Sequence, residues 1–215
     1  MVNTWGAKGV LRWDDPRHHG TAGLQARDFE LAGLADVEVL VTTGLDPAEV
    51  TGRPWEGRAE VVDVAPADLA TVVLDLPPGR LDRPALYTEL AAVVGPLYRH
   101  DGSPAARAAA LAAALAPGGI VVAEPGLVGF WIARTFPTEV PGSVVVPASG
   151  GPPAAWRIAG DAAGAGRAVT LVAASPPPLD LRGVAVEVWD PREVDLDPAA
   201  LVAVAGPIVA WGGVG

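Results

Sequence analysis

The chain has 215 residues, half of them apolar, no cysteine and a formal net charge of -10. This length suits one large or two small domains. The missing thiols exclude disulfides and Cys-ligated zinc or iron–sulfur centres, and the acidic balance opposes a basic groove for nucleic acid. Glycine (26) and proline (22) are abundant, yet the apolar runs between them argue for a packed core. No run is long enough to span a membrane. Lys8, Arg12, Asp14 and Asp15 stand where the apolar core of a signal peptide would lie. A cytoplasmic protein, bound to neither membrane nor nucleic acid, is expected.

In chain order, Val2-Asn3-Thr4 is a short strand candidate. Residues 21–36, with Leu24, Leu31 and Leu34 at helical spacing and Gly33 near the end, predict a helix. Three Val-rich strands follow at 37–44, 59–66 and 70–78, the first closed by Gly44. Residues 77–84, "PPGRLDRP", read as a linker. Helices are expected at 85–98 and from Pro104, where Ser103 caps and Gly118 terminates. The second half then alternates a strand at 120–126, a helix at 127–137, a strand at 142–150 and a short helix at 152–162. Strand candidates at 166–178, 184–190 and 200–213 complete five for this half. The pattern predicts an α/β fold of mostly parallel, Rossmann-like sheets flanked by helices. Two compact units are expected, 1–80 and 81–215, which share or complete a sheet.

Three groups of residues carry candidate chemistry. His18 and His19 follow Asp14 and Asp15, and only His100 remains elsewhere. Adjacent side chains point apart in extended chain, and zinc needs three or four convergent ligands. No metal site is expected; a loop with surface or locally bonded histidines, or the rim of an active site, are the remaining readings. Glu124, Asp63 and Asp75 stand at or near the carboxyl ends of β-runs, where open sheets bind ligands. Gly126 lies between a strand and a helix, where backbone N–H groups meet anions. Serines 103, 143, 149 and 175 lack a nucleophile elbow, so no triad is indicated.

Residues 3–47, "NTWGAKGVLRWDDPRHHGTAGLQARDFELAGLADVEVLVTTGLDP", resemble the central domain of thiamine-diphosphate-dependent enzymes of the acetolactate synthase group. Thr4, the "GAKG" of Gly6–Gly9, the Pro16–His19 loop, the Gly20–Gly23 turn and Ala35–Gly44 carry the likeness. "AARAAALAAALAPGGIVVAEPGLVGFWIARTF" is similar to the start of that family's cofactor domain, with Glu124 where the family has Asp. The resemblance implies that Glu124 and Gly126 lie near the diphosphate end of a cofactor and His18 and His19 near a substrate cleft. In related folds the central domain holds FAD or another dinucleotide, which puts Gly44, Asp46 and Asp63 in that crevice.

The departures from the family are specific. The family's next strand leads to "GDG" and later an asparagine, and that Asp and Asn hold the Mg²⁺ of the diphosphate. Here the strand runs into Ser175-Pro176-Pro177-Pro178, and the chain's one asparagine is Asn3. Proline supplies neither a side-chain ligand nor an amide donor. The family's pyrimidine domain, which holds the cofactor-activating glutamate, has no counterpart in the chain. The resemblance therefore implies a non-catalytic structural or regulatory subunit, in a homo-oligomer or with a protein partner supplying the missing domains. No cofactor is expected on the isolated chain. Two alternatives stay open: a partner-completed carboligase or 2-oxoacid decarboxylase using thiamine diphosphate with Mg²⁺, and a nucleotide- or small-anion-binding module.

Overall fold

The computed structural model describes residues 1–15, 17–50, 52–75 and 85–213. The chain begins with β1 (Asn3–Thr4), a 3-10 turn over Trp5–Ala7, and β2 (Thr21–Ala22), which pairs with β1 in parallel. Then come α1 (Asp28–Leu31), β3 (Val39–Thr42), β4 (Glu60–Asp63) and α2 (Leu69–Asp75). β3 and β4 pair in parallel, Val39 opposite Glu60 and Thr42 opposite Asp63. The second half contains α3 (Ala85–Leu97), α4 (Pro104–Ala114), β5 (Ile120–Ala123), α5 (Leu127–Thr135), β6 (Val144–Val145) and α6 (Gly151–Gly164). β7 (Val169–Ala173), β8 (Val184–Val188) and α7 (Ala199–Ala205) follow, with a last 3-10 turn at Ala210–Gly212.

The fold is α/β with small parallel sheets. β6, β5, β7 and β8 form one four-stranded parallel sheet in that order. In the two central strands, β5 and β7, apolar residues alternate between two buried faces, as a covered parallel sheet requires, while β8 is more exposed. Ile120, Val122, Val169, Leu171 and Ala173 pack with Ala155 and Ala159 of α6. Val121, Ala123 and Val172 face the opposite layer, with Phe130, Trp131, Ile132 and Ala133 of α5. That second core also contains Trp5, Leu24 and Leu31 of the N-terminal stretch and Leu201 and Ala205 of α7. Residues on both sides of position 80 thus share one core, while the expected boundary at 80/81 and the linker at 77–84 lie outside the described residues.

Hydrogen bonds close the two ends of the chain together. Gln25 donates its side-chain amide to the carbonyls of Leu201 (3.0 Å) and Gly206 (2.7 Å). Val209 N–H reaches Leu24 O at 2.9 Å. Trp211 stacks obliquely on Trp5 at 4.6 Å and donates its indole N–H to Pro147 O at 3.0 Å.

Several elements differ from the sequence expectation. The run at 70–78 was expected to be a strand; Leu69–Asp75 is helical, because a short apolar run fits either state and its neighbours decide. Asp75 therefore ends a helix. The expected helix at 21–36 reduces to α1. Asp28 takes the N–H groups of Leu24 and Gln25, both at 2.9 Å, and fixes a turn where the first helical turns were expected. The fifth strand candidate, 200–213, forms α7 and the terminal 3-10 turn. The helix at 152–162 lengthens to Gly151–Gly164, and the strand at 142–150 shortens to Val144–Val145. α4 stops at Ala114, before Gly118. The sheets also stay separate: among the described residues no strand of the first half joins the four-stranded sheet.

Candidate functional site

Glu124 emerges directly from the carboxyl end of β5 and is 4% exposed. Its carboxylate accepts the indole N–H of Trp156 on α6 at 2.6 Å and the backbone N–H of Ala174 at 3.0 Å. Ala174 is the first residue after β7, so Glu124 ties two strand ends and a covering helix together. A charged acceptor with two good donors is the arrangement that makes a buried carboxylate tolerable. Gly126 precedes α5 with φ of 105°, in the left-handed half of backbone space that favours glycine. Gly129, one turn into α5, sits so close to the strand end that a Cβ there would lie 2.5 Å from Glu124 O. The helix is packed hard onto the β5 terminus.

Asp63 lies at a different place, and Gly44 makes a turn two residues past β3 without lining its crevice. A crevice of about 440 Å³ opens beyond the carboxyl ends of β3 and β4, lined by Thr42, Leu45, Arg53, Trp55, Val61 and Asp63 among others. Asp63 accepts from Thr42 Oγ1 at 2.8 Å, and Gly44, φ 57°, makes the turn beside Leu45. Its volume lies in the range of small-molecule sites, about 300–1,000 Å³. Asp46 is used locally: it accepts Ala48 N–H at 2.9 Å and caps the 3-10 turn Pro47–Glu49.

The two histidines are buried, although the loop that leads to them is largely exposed. His18 and His19 are 4% and 8% exposed. His18 Nε2 lies 2.6 Å from Asn3 Oδ1, and Asn3 also donates to Thr21 Oγ1 at 3.2 Å. Burial first, then the Lys8 charge, lowers the His18 pKa below the usual imidazole value, while the carbonyls of Arg12 and Gly20 oppose this. His19 N–H bonds Met1 O at 2.7 Å. The neighbouring acids face outward and pair with arginines two residues away, Asp14 with Arg12 and Asp15 with Arg17, both at 2.8 Å. Among the described residues no three His, Asp or Glu side chains converge as metal ligands. The two histidines are remote in role from Glu124: one set locks the first strand pair, the other locks β5 to β7.

Two basic residues not singled out by the sequence patterns stand beside this loop. Arg134, at the end of α5, donates to Asp28 at 2.9 Å, to Thr21 O at 2.9 Å and to Gln25 Oε1 at 3.1 Å. Both members of the ion pair are buried, Asp28 completely. Lys8, the chain's one lysine, is 7% exposed. Burial first, and then the charge of Arg134, push its pKa down to about 7. Its being the single lysine was visible in the sequence; its burial was not.

No family model matches the chain, and no curated protein matches it at a significant level.

Proposed function

We propose that this chain is a non-catalytic structural or regulatory subunit related to the thiamine-diphosphate enzymes, which keeps an α/β scaffold and has lost the cofactor chemistry. One observation carries the reading: the Glu124 carboxylate is consumed by Trp156 and Ala174 N–H at the end of β5 and β7. In the resemblance, that end of the sheet is where a diphosphate and its Mg²⁺ belong. The residues present do not fit that group. The loop after β7 opens with Ala174, Ser175 and three prolines, its one acid, Asp180, comes only after them, and its first amide is already bound to Glu124. A hard divalent cation needs several oxygen ligands in near-octahedral array. No catalytic step through thiamine diphosphate is therefore assigned.

Calorimetry tests the reading. Thiamine diphosphate with Mg²⁺ is expected to give no saturable heat with the whole chain; a saturable isotherm would overturn it. A second reading is favoured by the crevice beyond β3 and β4. Thr42 and Asp63 there offer hydroxyl-binding groups and the exposed Arg53 a cation, which suits a nucleotide. ADP, NAD and FAD run in the same calorimeter address it, and loss of any heat in Asp63→Ala locates the site.

A homo-oligomer, or a partner chain supplying the absent domains, belongs to the same proposal. Val39 and Val61 are each 49% exposed on the two-stranded β3–β4 sheet, although parallel strands are ordinarily covered on both faces. No described helix is long and apolar enough to cross a membrane. The proposal places the protein in the cytoplasm.

A further inference from the structure

The four-stranded sheet ends on β8, and among the described residues no strand pairs with its outer side. Just past the paired stretch, Trp189 N–H reaches Ala173 O at 2.8 Å. Backbone groups alternate sides along a strand, so Ala185 and Glu187 bond β7 in the same way. The amides and carbonyls of Val186 and Val188, and the carbonyl of Val184, therefore point to the open edge. Val184 N–H is turned back to Leu181 O at 3.1 Å.

Natural sheets blunt such an edge with lysine, proline, an unpaired charge or a bulge. β8 reads Val-Ala-Val-Glu-Val, and its register with β7 is unbroken over all 5 residues. Its single charge, Glu187, is held within the chain: it accepts the Trp189 indole N–H at 2.6 Å and lies 3.9 Å from Arg107. Ala185 is exposed, and Val186 is 42% exposed. A regular apolar edge of this kind is a template for another strand.

The flanking charges select that strand. Set β8 of a second copy antiparallel to the first, with a two-fold axis through Val186. Val186 then exchanges both of its bonds with the partner's Val186, and Val188 N–H meets the partner's Val184 O. Ala185 lies opposite the partner's Glu187. At the strand ends, the exposed Arg182 comes opposite the partner's Asp190, and the exposed Asp180 opposite the partner's Arg192. An axis through Glu187 instead sets two Glu187 carboxylates face to face and Arg182 against the partner's Arg192. An axis through Ala185 sets Asp180 against the partner's Asp190. Like charges directly opposite are destabilising, so of these three registers only the one through Val186 opposes unlike charges throughout.

We propose that β8 is a self-association edge: two copies of this chain join β8 to β8 antiparallel about Val186, giving one continuous sheet of four strands from each copy. This edge is separate from the β3–β4 face whose exposure supports the oligomer reading above, and either can fail alone.

The chain has no cysteine, so single-cysteine crosslinking tests the register. Across a bonded antiparallel pair the Cα atoms lie about 5.5 Å apart, within the reach of a disulfide. Under mild oxidation Val186→Cys is expected to form a linked dimer on the order of tenfold faster than Ala185→Cys, whose two copies are offset along the strands. The same ratio is expected in a Val39→Lys background. Equal rates overturn the proposal. So does a fast crosslink that vanishes with Val39→Lys, since association then runs through the β3–β4 face. A β8 that takes its strand from a different protein gives no linked dimer and overturns it as well. Val186→Lys sets two charges on the axis; with an unchanged circular-dichroism spectrum it is expected to remove the dimer from native mass spectra of the Val39→Lys chain, and a dimer that persists there counts against the edge.

Discussion

Lys8 and His18 give this protein a pH dependence that can be signed. The folded Lys8 titrates near 7 and an unfolded lysine near ~10.4. Between those values the unfolded chain binds more protons, so stability rises with pH. Below about pH 7 both states are charged and the full cost of the buried cation is present. Lys8→Met removes that cost while keeping a straight apolar stem. It is expected to stabilise the chain at pH 6 by on the order of a few kcal/mol, and to flatten the rise between pH 7 and 10. Urea unfolding across that range measures it; an unchanged pH slope in the variant would show that Lys8 is not the responsible group. His18 and the N-terminal amine, both lowered first by burial, act with the same sign at lower pH, losing stability as pH falls. Little of this was legible beforehand. Glu124 was readable as an acid ending a strand, but its indole partner is 32 residues away on another element. No local spacing encodes such a pair.

At the scale of elements, local rules worked where the element supplies its own ends. Ser103 accepts Ala106 N–H at 3.1 Å and donates its hydroxyl to Leu97 O at 2.5 Å, and Pro104 opens α4. The cap was readable because Ser103, Pro104 and the capped Ala106 amide lie within four residues. Ser103→Ala is expected to destabilise the protein by about 1 kcal/mol, with Ser103→Asp recovering part of it; chemical denaturation reads both. A full-strength Ala variant would mean that α4 is held by packing alone. α5 buries most of its length against the sheet, and Arg134 at its last turn then bonds the distant Thr21, Gln25 and Asp28. α1 and α2 show the opposite case. Both are short, and short elements take their state from neighbours rather than from propensity. Asp28 is the example: the sequence reads it as one position on a helix face, and the fold uses it to bond two upstream amides and a guanidinium.

For the whole molecule, the shared core is the decisive fact. Trp5, Leu24 and Leu31 pack with Phe130, Trp131 and Leu201, so the N-terminal stretch is part of the larger layer. The β3–β4 pair stands apart from the four-stranded sheet and leaves Val39 and Val61 half exposed. Such a surface on parallel strands favours association. Native mass spectrometry of the purified chain is expected to show a homo-oligomer, with Val39→Lys shifting the population toward monomer. A monomer at every concentration would remove self-association and leave a heterologous partner as the remaining form of the proposal.

By itself the sequence determined the fold class and the strands at β3, β4, β5, β7 and β8. Apolar residues with the right period, ended by glycine, proline or acids, leave few other arrangements. It also determined that the residues directly after β7, Ala174, Ser175 and three prolines, carry no acid, the first one in that loop being Asp180. Tertiary structure alone decided which polar groups are buried and with whom. It turned Glu124 from an open strand-end acid into a clamp, and set Asp63 in a crevice with Arg53 and Trp55. It also buried Lys8, the chain's one lysine. Burial is a property of the packed layers, set by residues more than 100 positions apart, as Asp28 and Arg134 are.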